Sequence, residues 1–200
     1  MFVQLHRFLP LTTVEGPGRR ACVWVQGCPI HCKGCGVPWT WNPKKGTKVS
    51  VETLWNQILE SKQKENIEGI TFLGGEPFEQ AEALSELGRR AQREGLSVMT
   101  FSGYYKEQLE ELQKPFWQEL YHVTDLFIDG PFEQDRLDHK RPWVGSTNQR
   151  FHFLSDRYKE LESELSTVPD RLEIYFKKDG TVEANGMVPS EVWNRLFKNI

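Results

Sequence analysis

The chain of 200 residues carries a formal net charge of -3, with 38% hydrophobic and 26% charged residues. This balance is typical of one globular domain and argues against a nucleic-acid or membrane-surface partner, because both need clustered positive charge. No stretch reaches the length of a transmembrane helix and no secretion signal opens the chain, so we expect a cytoplasmic protein. The basic runs at 19–20, 44–45 and 177–178 are interpreted as solvated positions.

The predicted elements alternate between strands and helices. The apolar face of the first helix begins at Val51, with Ser50 placed to cap it, and Gly95 can end the second helix. In chain order we predict an edge strand over 2–9, a strand over 21–26, a helix from 51, a strand over 69–73, a helix with Leu84, Leu87, Gly88 and Ala91 buried, a strand over 96–101, a helix over 105–112, and strands over 126–129 and 150–154. This order predicts a parallel sheet. Because a complete eight-stranded barrel takes about 250 residues, we predict an α/β fold, a partial (open) TIM-like barrel of five or six strand-helix units.

The pattern changes after residue 154. We therefore divide the chain into a partial barrel over 1–154 and a C-terminal extension over 155–200 that packs on the same domain. The extension is predicted to hold a charged helix over 156–165, a small hairpin turning at Asp179-Gly180, and a last helix over 190–197. Barrel active sites lie at the carboxyl ends of the strands, where this chain also has its distinctive loops, so we expect the site there.

All four cysteines lie between Cys22 and Cys35, which indicates metal or redox chemistry rather than a disulfide framework. Cys28, Cys32 and Cys35 place three thiolates in one loop, so they can bind three irons of a 4Fe-4S cluster and leave the fourth iron open. An open iron can bind the amino and carboxylate groups of S-adenosylmethionine (SAM). The alternative is a non-catalytic zinc or iron-sulfur module. Zinc favours two separated pairs, however, and we expect Cys22 to be a buried apolar side chain in a strand.

Several motifs together resemble a known family. They are Glu15-Gly-Pro-Gly-Arg19, Gln26-Gly-Cys28, Cys32-Lys-Gly-Cys35, Pro38-Trp-Thr-Trp41, Gly74-Gly75-Glu76-Pro77, Asp129-Gly130-Pro131-Phe132 and Gly145 to Arg150. The sequence resembles the radical SAM superfamily, and within it the small single-cluster activases of anaerobic ribonucleotide reductase and pyruvate formate-lyase. The resemblance implies a radical SAM oxidoreductase that cleaves SAM to a 5′-deoxyadenosyl radical and takes a hydrogen from a polypeptide. Gly36-Val37-Pro38 departs from the His-Asn-Pro of many relatives.

The resemblance and the loop positions together assign further site residues. The predicted SAM-binding residues are Gly74, Gly75, Glu76, Pro77, Ser102, Gly103, Asn148 and Gln149. By resemblance, the turn at 16–18 lies beside the cysteine loop and Arg19 is a substrate contact, as are Trp41 and Asp129. Each of these also has an ordinary explanation as a turn residue, a core anchor or a helix cap. No catalytic residue is predicted beyond the cluster and SAM.

The polypeptide substrate is left open between two kinds of partner. The first is a glycyl radical enzyme, which an activase would charge with its radical. The second is a ribosomally made precursor peptide, which a single-cluster maturase would modify by radical rearrangement or backbone excision. No cysteine follows Cys35, so maturases with auxiliary clusters are poor templates. Either reaction needs an electron donor of the flavodoxin or ferredoxin type.

Overall fold

The protein is described here by a computed structural model that covers residues 1–169, 171–186 and 195–196. The strands are β1 (Phe2–Thr12), β2 (Arg20–Val25), β3 (Thr47–Ser50), β4 (Gly69–Gly74), β5 (Ser97–Phe101), β6 (Leu126–Asp129), β7 (Arg150–Phe153), β8 (Leu172–Phe176) and β9 (Val182–Gly186), and the α-helices are α1 (Val51–Glu65), α2 (Ala81–Arg93), α3 (Lys106–Leu112) and α4 (Trp117–His122). The predicted last helix over 190–197 lies outside the described residues, apart from 195 and 196.

The first seven strands form one sheet in the order β3-β1-β2-β4-β5-β6-β7. β2, β4, β5 and β6 run parallel to their neighbours within this group, while β1 pairs antiparallel with β2 and β3, and β7 pairs antiparallel with β6. The α/β class and the largely parallel centre are confirmed. The count of five or six strand-helix units is wrong for the described residues, because β1 leads into β2 as a hairpin and β7 returns along β6. The open barrel stays a prediction.

Two further expectations need correction. β1 is not an edge strand, since β3 pairs with it from Phe2 to Leu5. The predicted helix over 156–165 is instead a series of 3-10 turns at Asp156–Tyr158, Glu160–Ser163 and Leu165–Thr167. This segment has no buried residue, and short helices in water depend on packing of an apolar face. The hairpin is confirmed as β8 and β9.

Side chains alternate between two covered faces of the sheet. On one face, Val23, Ile70 and Phe127 are fully buried in a large core shared with the helices, including Leu54 and Leu84. The opposite face, called here the inner face, carries two smaller apolar clusters. They contain Leu9, Cys22, Leu73, Met99, Leu126, Ile128 and Val144. The two-faced burial explains why these strands read as continuous apolar runs.

The C-terminal hairpin is hydrogen bonded to β1 and the residues after it. Glu173 accepts from the hydroxyls of Thr12 and Thr13 at 2.7 and 2.8 Å, and Arg7 donates to the Asn185 side chain. The backbone N–H of Gly186 donates to the Glu15 carboxylate at 3.2 Å. These contacts support the prediction that the extension packs on the same domain. For the whole of 155–200 the packing remains a prediction.

Glu15 gives the stability of the fold a pH dependence. Burial raises the pKa of Glu15 from its ordinary value of 4.5 to about 7. Between these values the folded protein keeps a proton that the unfolded chain releases, so the free energy of unfolding falls as the pH rises through this window. Because Glu15 is half-buried rather than fully buried, we expect a loss of about 1 kcal/mol that is absent in Glu15→Gln. Urea unfolding near pH 5 and near pH 8 measures it, and equal pH slopes in both proteins would contradict the assignment.

Candidate metal centre

The predicted loops meet at one edge of the sheet. Because β2, β4, β5 and β6 are parallel, their last residues lie along the same edge, called here the carboxyl edge. The segments that follow these strands are Gln26–Cys28, Gly75–Pro77, Ser102–Gly103 and Gly130–Pro131. The cysteine loop and the Gly-Gly-Glu-Pro motif are therefore neighbours, as the parallel order predicts.

The cysteine loop is shaped by its backbone. The N–H of Cys28 donates to the carbonyl of Trp41 at 3.0 Å, and the N–H of Cys35 donates to that of Cys32 at 3.1 Å. His31 adopts the left-handed conformation with φ of 52°, and Gly34 does so with φ of 76°. The loop thus turns twice and gathers three half-buried thiols, none of them in a disulfide.

The surroundings of the thiols suit sulfur ligands of a cluster. Burial raises the pKa of Cys28 and Cys32, and backbone hydrogen bonds to Cys28 and Cys32 offset part of this effect. The N–H of Val37 lies 3.5 Å from Cys35 Sγ. Backbone donors to thiolates are one of the features that tune iron-sulfur clusters, and the thiols lose their protons when iron binds. The residues present therefore fit a cluster held by three thiolates.

Cys22 does not belong to this loop. It lies within β2, fully buried beside Leu9 and Leu73, and burial raises the pKa of its thiol well above the ordinary value. The described part of the chain contains no group of three His, Cys, Asp or Glu side chains placed to hold a single metal ion. The position of Cys22 in the sheet thus agrees with a buried apolar role and gives no support to a four-cysteine zinc site.

The glycines of the Gly-Gly-Glu-Pro motif allow close backbone contact with the cysteine loop. Gly74 has a φ of +113°, and the N–H of Gly75 donates to the carbonyl of Val25 at 2.8 Å. A Cβ on Gly75 would lie 2.2 Å from the carbonyl oxygen of Gly27, which no side chain can tolerate. The N–H of Glu76 donates to that same oxygen at 2.8 Å. This contact explains why the position needs glycine.

The Glu76 side chain joins two loops of the carboxyl edge. It is 1% exposed. One carboxylate oxygen accepts from the Phe78 N–H at 3.0 Å and the Ser102 hydroxyl at 2.9 Å, while the other accepts from the Gly103 N–H at 2.8 Å. Burial raises the pKa of Glu76 to about 7 despite these donors. Ser102 and Gly103, predicted as SAM contacts, are thereby held next to the motif, and Pro77 begins the turn that follows.

Replacing Glu76 should loosen this junction. In Glu76→Gln an amide N–H2 group must face one of the donors, so a buried hydrogen bond is lost and a donor stays unsatisfied. We expect a loss of about 1–3 kcal/mol in the free energy of unfolding, measured by urea titration. Glu79→Gln is the matched control, since Glu79 is exposed and bonds to Tyr104 and Lys114. Equal effects of the two substitutions would refute the role given to Glu76.

The side-chain amides of Asn148 and Gln149 differ in how they are hydrogen bonded. The Gln149 side chain accepts from the N–H groups of Gly145 and Ser146 at 2.8 and 3.2 Å, so it stabilises its own loop. Asn148 is 8% exposed and its amide donates to the carbonyl of Pro131 at 2.7 Å. Its Oδ1 is buried and has no hydrogen-bond partner among the described residues. A buried acceptor of this kind fits a donor on a bound ligand.

The predicted substrate contact Asp129 is fully buried and already bonded. It accepts from the N–H of Lys106, the first residue of α3, at 2.8 Å and from Arg150 at 2.9 and 2.5 Å, and His152 Nε2 lies 2.9 Å from it. Burial opposes its ionisation, but these donors together lower the pKa of Asp129 to about 2. These contacts are those of a helix cap, which is the alternative role considered for Asp129. A contact between Asp129 and the substrate stays a prediction.

Arg19 lies at the wrong end of the sheet for its predicted position. Its N–H bonds to Glu68 Oε1 at 3.1 Å and its side chain to the carbonyl of Glu65, just before β4. The turn at 16–18 connects antiparallel strands, so it lies at the amino end of β2, about 20 Å of strand away from the cysteine loop. The expectation that this turn lies beside that loop is wrong.

Trp41 does lie at the cysteine loop, where its ring stacks on His31 with centroids 4.6 Å apart. Sequence reasoning missed other neighbours of the loop. Gly103 packs against Ile30, Gly34 against Gln134, and Phe132 supplies a backbone hydrogen bond to Cys32. Backbone donors and close contacts leave no signature in residue type, so no sequence signal identifies them.

Comparison with known proteins agrees with this site. The chain matches the family described as a 4Fe-4S single cluster domain over residues 14–152. It is 31% identical over 153 residues to an anaerobic ribonucleoside-triphosphate reductase-activating protein of Vibrio cholerae serotype O1, with 74% of this chain and 96% of that protein covered. It is also 31% identical over 127 residues to pyruvate formate-lyase 1-activating enzyme of Escherichia coli K12, with 62% and 50% covered.

A solved structure, QueE from Escherichia coli, gives a TM-score of 0.41 at 20% identity and covers 52% of this chain and 53% of that one, which is too distant to carry an argument. The family match and the sequence identities, in contrast, assign the chain to a family. The chain belongs to the 4Fe-4S single cluster domain family and, within it, to the radical SAM activating enzymes. The resemblance inferred from the motifs is confirmed. None of the helices in the described residues is long and apolar enough to span a membrane.

Proposed function

We propose that this chain activates a glycyl radical enzyme, by cleaving SAM reductively and removing a hydrogen atom from a glycine of that polypeptide. The observation that carries the proposal is the single loop with Cys28, Cys32 and Cys35, placed beside the Gly-Gly-Glu-Pro turn at the carboxyl edge. Three thiolates leave one iron of a 4Fe-4S cluster without a protein ligand. When bound, that cluster supplies the electron and the open iron at which SAM is cleaved.

The chain's own residues would bind and orient SAM. Gly74 and Gly75 let the backbone after β4 pack directly on Val25 and Gly27, which would hold the SAM-binding turn beside the cysteine loop. Glu76 fixes the position of this turn against Ser102 and Gly103. The unpartnered Oδ1 of Asn148 would accept a hydrogen bond from the nucleoside, while Gln149 holds the loop that presents Asn148.

The protein must also keep water away and hold the target hydrogen close to the radical carbon. The activating proteins that match this chain are named for reductase and lyase partners, which supports a large polypeptide substrate here too. Trp41, whose ring stacks on His31 of the cysteine loop, would contact either cofactor or substrate. The electron would come from a flavodoxin- or ferredoxin-type protein. We propose a cytoplasmic location, where a thiol-ligated cluster is kept reduced.

An isotope experiment tests the proposal. The reconstituted chain is mixed anaerobically with SAM, a reductant and a candidate glycyl radical enzyme made with α-deuterated glycine. We expect deuterium in 5′-deoxyadenosine and a glycyl radical signal in the electron paramagnetic resonance (EPR) spectrum of the partner. Unlabelled 5′-deoxyadenosine with no partner radical would reject the activase. The maturase would be favoured instead if the chain changed the mass of a precursor peptide while it took no deuterium from the glycyl radical enzyme.

A further inference from the structure

The distribution of charge along the chain is strongly uneven around the cysteine loop. The chain has 28 acidic residues, but none lies between Gly16 and Val51. This acid-free stretch contains four lysines. Lys33 lies inside the cysteine motif, and three more follow it, at Lys44, Lys45 and Lys48. A protein with a net charge of -3 therefore has a local excess of positive charge next to its metal centre.

These lysines belong to one folded surface, called here the basic face and defined as residues 27–48. The N–H groups of Gly27 and Cys28 donate to the carbonyls of Thr40 and Trp41 at 2.7 and 3.0 Å. The Gln26 amide donates to the carbonyls of Trp39 and Asn42 at 3.0 and 2.9 Å. These bonds fix 38–42 against the cysteine loop, and the chain passes directly from there to the lysines at 44–48.

The four lysines of the basic face are exposed to solvent. In the part of the chain that the structure describes, the lysines that pair with carboxylates lie elsewhere. They are Lys62, Lys64, Lys106, Lys114, Lys159 and Lys177. Phe132 is hydrogen bonded to Cys32, and two acids follow Phe132 in the chain. Glu133 is paired with Arg136 at 3.1 Å, and Asp135 is exposed. The charge of the basic face is thus available to an approaching partner.

The basic face also exposes a large aromatic side chain. Trp39, in the turn Pro38–Thr40, is 57% exposed although tryptophan is usually mostly buried. An exposed tryptophan in a segment with lysines and no acid is typical of a protein interface, because aromatic side chains supply contact area and nearby charges orient the partner. Ile30 of the same loop is half-buried, since it packs on Gly103.

We propose that the basic face docks an acidic electron-carrier protein and so sets the route by which the electron enters. This inference rests on the proposed function, because it assumes a cluster on the cysteine loop. Residues 40 and 41 of this face are hydrogen bonded to residues 27 and 28, so a donor bound there would lie beside the segment that carries the thiolates. In the transfer, a flavin hydroquinone anion of the donor loses one electron and becomes the neutral semiquinone, while the metal centre gains one electron. No covalent bond forms or breaks.

Charge reversal on the basic face is the test. Lys44→Glu with Lys45→Glu changes the net charge by the same amount as the control Lys64→Glu with Lys159→Glu, whose lysines lie on α1 and the extension. The probe is a purified acidic flavodoxin, titrated against each protein at low and high ionic strength. For the basic-face variant we expect at least about tenfold weaker binding and a smaller salt dependence. The control should bind like the wild type.

A second measurement separates this inference from the proposed function. Photoreduced deazaflavin, a small uncharged reductant, should reduce the metal centre of every variant at the same rate, whereas flavodoxin should reduce that of the basic-face variant about tenfold more slowly. A wild-type protein that deazaflavin cannot reduce would reject the cluster, and with it the proposed function. Equal flavodoxin affinities and reduction rates in all variants would overturn the docking inference but not the proposed function. The same holds if the basic-face variant binds only the polypeptide substrate more weakly.

Circular dichroism and iron content verify that the basic-face variant is folded. If the double reversal fails to fold, Lys44→Gln with Lys45→Gln removes half the charge change and should weaken flavodoxin binding in the same direction. Unchanged binding in that folded variant would also overturn the inference.

Discussion

Cys28→Ser, Cys32→Ser and Cys35→Ser are each expected to abolish formation of 5′-deoxyadenosine from SAM. A hydroxyl would replace a thiolate that we propose to bind iron, so the cluster would lose one of the three ligands expected from the loop. The loss should exceed about a thousandfold, because two thiolates alone hold a 4Fe-4S cluster poorly and SAM cleavage depends on the intact cluster. Iron and sulfide analysis after anaerobic reconstitution, followed by chromatography of the SAM products, measures both effects.

Cys22→Ala is the matched control for these substitutions. Its thiol lies inside β2 beside Leu9 and Leu73. The substitution should therefore lower stability by about 1 kcal/mol and leave iron content and SAM cleavage intact. Loss of iron in Cys22→Ala, together with retention in any of the three loop variants, would reverse the assignment of ligands.

Arg20→Ala is expected to cause the largest loss of stability outside the cysteine loop. Arg20 is fully buried at the start of β2, and its guanidinium donates to oxygens of Thr71, Ser97, Tyr158 and Ile70, at distances from 2.5 to 3.0 Å. Truncation leaves these acceptors without a donor and opens a cavity. We expect the free energy of unfolding to fall by about 3–5 kcal/mol, and Tm by roughly 10 °C.

The neighbouring Arg19→Ala is the control, because Arg19 is exposed and its ion pair with Glu65 at 3.7 Å lies at the surface. That substitution should cost no more than about 0.5 kcal/mol. Arg20→Lys keeps the charge but not the planar fork of donors, so its stability should be intermediate. Similar unfolding curves for Arg19→Ala and Arg20→Ala would show that the buried network is not stabilising.

The sequence was most informative where a local pattern determines the structure. Helix α1 begins after Ser50, whose hydroxyl accepts from the Thr53 N–H at 3.0 Å as the cap prediction requires. Strand β6 has the predicted bounds Leu126–Asp129. Alternation identifies a strand but not its direction, so the order of elements predicts a parallel β7, whereas β7 pairs antiparallel with β6. β3 was missed because its residues, Thr47–Ser50, are mostly polar and pair at an edge.

In the candidate site, too, some positions follow from the order of elements and others depend on long-range contacts. Parallel strand order sufficed to bring the cysteine loop, Glu76 and Ser102 to one edge, because it depends only on the sequence of elements. The position of Arg19 was wrong, since a turn between two antiparallel strands lies at the opposite end. Arg20 was overlooked because its partners come from residues 71, 97 and 158, far away in the chain. Such long-range contacts are not encoded in a local motif.

The open coordination position on the iron is the central claim, and EPR spectroscopy of the reduced protein tests it most directly. SAM labelled with nitrogen-15 in its amino group is added to the reduced, reconstituted chain, and electron-nuclear double resonance reads the coupling between label and cluster. We expect the cluster signal to change on addition of SAM and to show that coupling. A signal that SAM leaves unchanged, from a cluster with four protein ligands, would contradict the account.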